Sequence, residues 1–387
     1  MSGREVSTLD LAPSVCDILL RNGFRLVDDV VCLKPYELAK ELSVTPTEAA
    51  NILKAVNNVN CPPDSSISAL ELCRKSNVQR PIITFCKSLD QLLGGGVQLG
   101  QLTEFCGVPG IGKTQLGIQL ALNAQIPEVF TGNGGESIYI DTEGSFMVER
   151  VAEMARALSE HLLRIASKTA RSGGAAADVS HIRASAGNIT ADRLLQGIHV
   201  FRAHNQVEQM AILNSLGAFM KTHANIKLII VDSIAFHFRQ DLQEVSSRSR
   251  ILSTLAQTLN QLAFDHSLAV VSINHITTRV TSGAGAGSSR IVPALGEQWS
   301  HCIANRVMMF WQQGNVRTAC LVKSASRPQA VAQFTINKNG IRDAAPPGSS
   351  GVGAASSNPR SEASARVRPS AENSSSDADA MAKKPRL

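Results

Sequence analysis

Eight consecutive residues, Gly107-Val108-Pro109-Gly110-Ile111-Gly112-Lys113-Thr114, restrict the fold of this chain more than any other stretch. They match G-x-x-x-x-G-K-[ST], a loop that works only between a strand and a helix. An apolar segment, Leu102 to Cys106, precedes the loop. A run with Leu116, Ile118, Leu120 and Leu122 follows, and we expect it to be an amphipathic helix. Glycines let the main chain curl round an anion, and the free N–H groups of the helix's first turn point at it. Lys113 adds a point charge suited to β- and γ-phosphates, and the Thr114 hydroxyl is a ligand for Mg²⁺. The segment from Gly107 to Thr114 is therefore expected to bind a nucleoside triphosphate, namely ATP with Mg²⁺.

A loop of this kind demands an α/β domain, and the pattern over residues 80–343 supplies one. Strands are expected at 102–106, 137–141, 198–202, 228–232, 268–274, 306–311, 318–322 and 332–336, with helical stretches between them. That alternation implies a mostly parallel central sheet. Within the domain, residues 167–190 are rich in Ala, Ser and Gly and suggest a surface insertion with little role in the core. Ahead of it, residues 1–60 suggest a small helical N-terminal domain. One helix there should stop near Asn22-Gly23, one should begin at Pro35, and one should be capped by Thr45-Pro46-Thr47-Glu48. Residues 61–79, starting Cys61-Pro62-Pro63, suggest a linker, and residues 344–387 a disordered basic tail.

Two strand ends carry acids. Lys227-Leu228-Ile229-Ile230-Val231-Asp232 is a buried strand with a carboxylate at its C-terminal tip, where ligands of parallel sheets sit. Asp232 is therefore expected to act on Mg²⁺, directly or through water. Ile138-Tyr139-Ile140-Asp141-Thr142-Glu143-Gly144 ends a strand in the same way. Hydrolysis needs a base or orienting group for the attacking water, and by residue type both Asp141 and Glu143 qualify. A helix-capping acid at that turn is the bland reading of the same residues.

The formal net charge of +6 and a pI near 9.0 are compatible with a polyanionic partner. No run of eighteen apolar residues predicts a membrane span, and Met1 to Glu5 begin no secretory signal. The eight cysteines form no C-x-x-C pair and are expected to be reduced, buried small hydrophobes of a cytosolic or nuclear protein.

Together these pieces resemble the RecA-like recombinase superfamily in its eukaryotic branch. Leu89-Asp90-Gln91-Leu92-Leu93-Gly94-Gly95-Gly96 is similar to that branch's lead-in to the P-loop, and Asp141-Thr142-Glu143-Gly144-Ser145-Phe146 to its strand-end motif. Phe146-Met147-Val148, Ile234-Ala235-Phe236 and Val292-Pro293-Ala294-Leu295-Gly296-Glu297 with Trp299 resemble the C-type paralogues of the eukaryotic strand-exchange recombinase. The resemblance implies a RecA-like P-loop ATPase in which Glu143 activates water, alongside Lys113 as a catalytic group, and Asp232 supports the metal with Thr114. It also implies two segments facing DNA, about 233–250 with Arg239, Arg248 and Arg250, and about 276–290 with Arg279 and Arg290. The second of these has independent support. Residues 274–296 contain no acid and are interrupted by Gly283, Gly285 and Gly287, which suits sequence-independent contact with phosphates.

The implied function is an ATP- and DNA-binding paralogue for homologous recombination and double-strand break repair. It would bind single- and double-stranded DNA without sequence specificity, and work in a hetero-oligomer with other paralogues and the main recombinase. A self-sufficient strand-exchange recombinase and a nucleotide-gated scaffold are the alternatives. Three departures from the family bear on them. The strand before the second DNA segment ends in Asn274-His275 where the family has Asn-Gln. The Phe of its Phe-x-x-Ala self-assembly hook is Ser66, although Ala69 is present. Val44-Thr45-Pro46 lacks the glycine of a duplex-binding helix-hairpin-helix turn. Lys383-Lys384-Pro385-Arg386 resembles a nuclear import signal, so the nucleus is the expected location, with the cytoplasm also open.

Overall fold

A computed structural model describes residues 5–8, 12–31, 33–60, 68–70, 73, 79–171, 176–239, 245–280 and 289–344. The expected linker and tail, including Ser66 and Lys383 to Arg386, lie almost wholly outside these residues, and so do 240–244 and 281–288.

Near the N-terminus, α1 (Pro13–Arg21), α2 (Val27–Val31), α3 (Pro35–Leu42) and α4 (Pro46–Asn60) share an apolar cluster that includes Leu19, Val30, Leu38, Leu53 and Val56. Asn22 caps α1, Pro35 opens α3, and Thr45 and Glu48 exchange side-chain to backbone bonds at the start of α4.

After α5 (Lys87–Leu93) comes the sheet, with β1 (Leu102–Gly107), β2 (Glu136–Asp141), β3 (Ile198–Arg202), β4 (Ile226–Asp232), β5 (Ala269–Val280), β6 (Ser289–Pro293), β7 (Asn305–Trp311), β8 (Val316–Ser324), β9 (Ala330–Asn337) and β10 (Gly340–Asp343). Its order is β10-β9-β8-β7-β1-β5-β4-β2-β3, with β6 paired to β5. From β7 through β1, β5, β4 and β2 to β3 every pairing is parallel, and β7 to β10 are antiparallel. The division follows the connections: helical crossovers join the parallel strands, and short turns join the others.

Central strands are buried on both faces, so successive residues enter two different cores. In β4, Leu228 and Ile230 pack with α6 (Lys113–Asn123) and α7 (Val148–Arg171). Ile229 and Val231 pack with α10 (Gln206–Thr222) and α11 (Val245–Asp265). Helix α6 departs from the sequence reading. It is buried around its whole circumference, from Leu116 to Asn123, because α7 and β10 cover the side that the sheet does not. The stretch suggested as a surface insertion is helical as well. It holds the end of α7 and α8 (Ala176–Gly187), which packs on α7 ahead of α9 (Ala191–Gln196), and it contributes Ala186 and Ile189 to buried positions. Cys32 and Cys61 lie outside the described residues, and the other cysteines are less buried than expected: Cys86 and Cys106 are buried, Cys16, Cys302 and Cys320 half-buried, and Cys73 exposed. No described helix is long and apolar enough to cross a membrane.

The lead-in to the P-loop carries a titratable group with a measurable consequence. Asp90 accepts from the Thr84 N–H at 2.7 Å and hydroxyl at 2.9 Å. Burial nevertheless pushes its pKa up to about 6, against the lowering effect of the Thr84 bonds. The folded protein thus holds this proton more tightly than the unfolded chain. The associated stability is present below about pH 4 and is lost as the pH rises through about 6. Relative to wild type, Asp90→Asn should gain stability between pH 4 and pH 7, by of order 2 kcal/mol after solvent screening. Denaturant titrations of both proteins at the two pH values check this, and a pH-independent difference counts against it.

Candidate functional site

The C-terminal ends of β1, β2, β4 and β5 bring the chemistry-bearing residues together. A cavity of ≈ 300 Å³ is lined by Pro109, Gly110, Gly112, Lys113, Thr114, Gln115, Glu143, Ser145, Asp232 and His275. Its floor is the loop from Gly107 to Thr114. Gly110 and Gly112 have φ of 76° and 105°, the left-handed region that favours glycine. A Cβ on Gly107 would lie 2.8 Å from the Met309 carbonyl oxygen, so this position must stay bare for β1 to pack on β7.

Lys113 is nearly buried, and its Nζ donates to the carbonyls of Gly107 at 3.1 Å and Val108 at 3.0 Å. Burial holds the ammonium below the usual lysine range, and Asp232 and Glu143 oppose that. The Thr114 hydroxyl donates to Asp232 Oδ2 at 2.7 Å, and the Tyr139 hydroxyl donates to the same oxygen at 2.7 Å. Burial raises the Asp232 pKa despite those two bonds. A cation placed between Thr114 and Asp232 would relieve that burial, and hydroxyl with carboxylate oxygens is the hard donor set that Mg²⁺ takes. The anion nest, the lysine and these oxygens fit a triphosphate with its ion, which when bound supplies charge neutralisation at the phosphates.

The two acids left open by the sequence have different surroundings. Asp141 is buried and accepts from the N–H groups of Glu143 at 3.2 Å, Gly144 at 2.9 Å, Ser145 at 3.2 Å and Phe146 at 3.4 Å. Arg202 closes the set, its Nη1 2.5 Å from Asp141 Oδ2. Asp141 therefore holds the turn. Glu143 instead reaches into the cavity with its side chain 25% exposed. Its Oε1 accepts from the Ser233 hydroxyl at 2.5 Å and lies 2.6 Å from His275 Nε2. Burial pushes its pKa up, but the bonds from His275 and Ser233 and the charges of His275 and Lys113 outweigh this and hold the carboxyl below its usual range.

The sequence matches the Rad51 family over residues 74–165 and 177–344. The chain belongs to the Rad51 family. Among its relatives, "DNA repair protein RAD51 homolog 3" of Cricetulus griseus is 41% identical over 367 residues, covering 92% of this chain and 97% of that protein. The Dictyostelium discoideum protein of the same name is 38% identical over 74% of this chain and 72% of its own length. "DNA repair and recombination protein RadA" of Aeropyrum pernix is 28% identical over 86% and 94%. The gap in the Rad51 match, residues 166–176, spans the end of α7 and the connection to α8.

Of the candidate residues in this Rad51-family chain, the P-loop, Glu143 and Asp232 converge on one cavity. Arg279 and Arg290 are register partners across the antiparallel β5–β6 pair. Arg248 is half-buried and Arg250 exposed at the start of α11. Arg239 ends a short 3-10 turn, and its side chain lies outside the description. Three contributors were missed by the sequence reading. Tyr139 looked like one more apolar strand residue. Arg202, at the tip of β3, had no motif to mark it. Arg317 of β8 donates through Nε to the Ile111 carbonyl at 2.9 Å, and its guanidinium lies 4.4 Å over the Trp311 ring. Its strand, with Arg317 ahead of the apolar run Ala319 to Val322, gave no sign that it braces the P-loop.

Proposed function

We propose that this chain is an ATP- and DNA-binding recombinase paralogue that acts in homologous recombination and DNA repair as a DNA-dependent ATPase. The observation that carries the reading is the meeting of Lys113, Thr114, Glu143 and Asp232 from three separate segments in one cavity. Residues Gly107 to Thr114 hold the phosphates of ATP, Thr114 and Asp232 hold Mg²⁺, and Glu143 takes the proton of the attacking water. Residues 80–343 form the ATPase domain, behind a helical domain at 1–60 and a linker at 61–79. The partners are other recombinase paralogues and the main recombinase, in a hetero-oligomer of the nucleus. Membership of a family of DNA-dependent ATPases supports the activity, and the relatives named for DNA repair support the process. ATP hydrolysis by the purified chain, alone and with candidate paralogues, with and without DNA, tests it. A protein that binds no ATP in any of these settings overturns it.

DNA contact is assigned to the β5–β6 hairpin and the start of α11. The register pairing of Arg279 with Arg290 puts two cationic residues opposite one another on this hairpin, which supports contact with a polyanion. Neutralising both should weaken DNA binding about equally across sequences. Each lost phosphate contact lowers the slope of log K against log salt by roughly 0.7–0.9. DNA affinity at several salt concentrations checks this. An unchanged slope passes the role to Arg239, Arg248, Arg250 or a partner.

A further inference from the structure

Arg202 is the last residue of β3, the strand that ends the sheet order on one side among the described strands. It does not line the nucleotide cavity. Its register partner on β2 is Asp141, two residues before Glu143. The guanidinium Nη1 lies 2.5 Å from Asp141 Oδ2, and the N–H of the next residue, Ala203, donates to the Asp141 carbonyl at 3.0 Å. The end of β3 thus holds Asp141 by side chain and by main chain. We propose that Arg202 is a positioning residue for ATP hydrolysis, which locks the turn after β2 in the conformation that aims Glu143 at the attacking water. The proposal rests on the reading of Glu143 as general base and adds what sets its aim.

Asp141 Oδ1 accepts from three successive N–H groups, those of Glu143, Gly144 and Ser145, at 3.2, 2.9 and 3.2 Å. Three donors on one atom leave the backbone around Glu143 little freedom. The Asp141 side chain is only 5% exposed, so its charge needs a partner, and among the described residues Arg202 is the cation paired with it. The guanidinium also lies against the turn itself. A Cβ on Gly144 would sit 2.3 Å from Nη2, 2.7 Å from Nη1 and 2.9 Å from Cζ of Arg202. Gly144 has a φ of 77°, so the turn passes through a conformation that favours glycine at the point where the guanidinium fills the space beside it. Glu143 lies in sequence between the two residues that Arg202 touches. One side chain therefore neutralises the acid that gathers the turn and blocks the space into which the turn could shift.

The division of labour sets the expected effect. The phosphates belong to Gly107 to Thr114, and the metal to Thr114 and Asp232, so ATP affinity does not depend on Arg202. The basicity of Glu143 does not depend on it either: the groups that shift its carboxyl against burial are His275, Ser233 and Lys113. Placement is what remains. Proton transfer needs the base within hydrogen-bond reach of the water, and a misplacement of about 1 Å can cost about 10²-fold in rate. Without Arg202, Asp141 still has its four N–H donors, so the turn persists but is free to shift. A lysine at this position keeps a charge for Asp141 and loses the planar fork that also meets Gly144.

The test measures Mg²⁺-ATP affinity by titration and hydrolysis at saturating ATP, in the full chain. Wild type is compared with Arg202→Ala, Arg202→Lys, Gly144→Ala and the double variant Arg202→Ala with Gly144→Ala. Arg202→Ala should lose roughly 10- to 10²-fold in turnover with ATP affinity unchanged. Arg202→Lys should lose less, and it decides the matter if the alanine variant melts early. Gly144→Ala should also slow turnover, because its methyl displaces the guanidinium. Added to Arg202→Ala it should cost little more, since the group it collides with is gone, and the two losses do not multiply. Losses that multiply, or affinity that falls in step with turnover, mark a general loosening of the site and overturn the positioning role. Wild-type turnover in both Arg202 variants, beside an inactive Glu143→Gln, overturns that role alone. A Glu143→Gln variant with wild-type turnover overturns the general-base reading, and the role of Arg202 with it.

Discussion

Lys113→Ala abolishes productive ATP binding. The ammonium sits in the cavity, 3.0–3.1 Å from the carbonyls of Val108 and Gly107, and is nearly buried. Burial already depresses its pKa, so its charge is poorly compensated until an anion arrives. A triphosphate is that anion, and the charge-assisted bonds it would gain are worth roughly 1.5–3 kcal/mol each. Losing them weakens binding by about 10²-fold or more. Wild type should also be stabilised by saturating Mg²⁺-ATP, by about 2.7 kcal/mol at a hundredfold excess over Kd. For a domain of this size that raises Tm by roughly 5 °C or more. The variant should fold, because the loop's glycines and its bracing by Arg317 are untouched, yet show no ligand-induced shift. Unchanged affinity with an unchanged Tm response would remove the phosphate role from this loop.

The centre of the sheet was legible because its strands are buried on both faces. Runs such as Leu228 to Val231 have no polar member to blur them, and all eight expected strands occur. The same reasoning missed β6 and β10. The first follows a glycine-rich segment, and the second has only four residues, Gly340–Asp343. Neither contains three consecutive apolar residues or a strict alternation to mark it. Helix α6 was misjudged for a related reason. Leu116, Ile118, Leu120 and Leu122 fall on several sides of a helix, which marks full burial, and the expected amphipathic face is absent. At the site, the P-loop was legible because its backbone conformation dictates its glycines. Contacts made across the fold were not: Arg317 meets Ile111 from 206 residues away, and no local pattern records that.

The choice between Asp141 and Glu143 shows where spacing stops being informative. Both are acids at one strand end, two residues apart, and only their partners separate them. Asp141 accepts from four N–H groups and Arg202, so its lone pairs are occupied and its loss would undo the turn. The exposed share of Arg202, 42% of its side chain, also places part of that brace at the open edge of β3.

Glu143→Gln should separate binding from turnover. The amide keeps the size and reach of the carboxylate. Its oxygen can still accept from Ser233 Oγ and His275 Nε2, the two partners of Oε1. What is lost is the negative charge and the basicity. ATP should bind as well as before or more tightly, because one anion facing the phosphates is gone. Turnover should fall by roughly 10²-fold or more, the usual scale for removing a general base. The depressed pKa of Glu143 adds a second expectation. The wild-type carboxylate remains ionised well into the acid range, so turnover should not be lost through this group as the pH falls from 7 to 5. Single-turnover hydrolysis beside an ATP-binding titration checks both. A variant that hydrolyses at the wild-type rate would make Glu143 a structural residue of the turn. Asp141, held by five donors, could not take its place, and the base would have to come from a partner subunit.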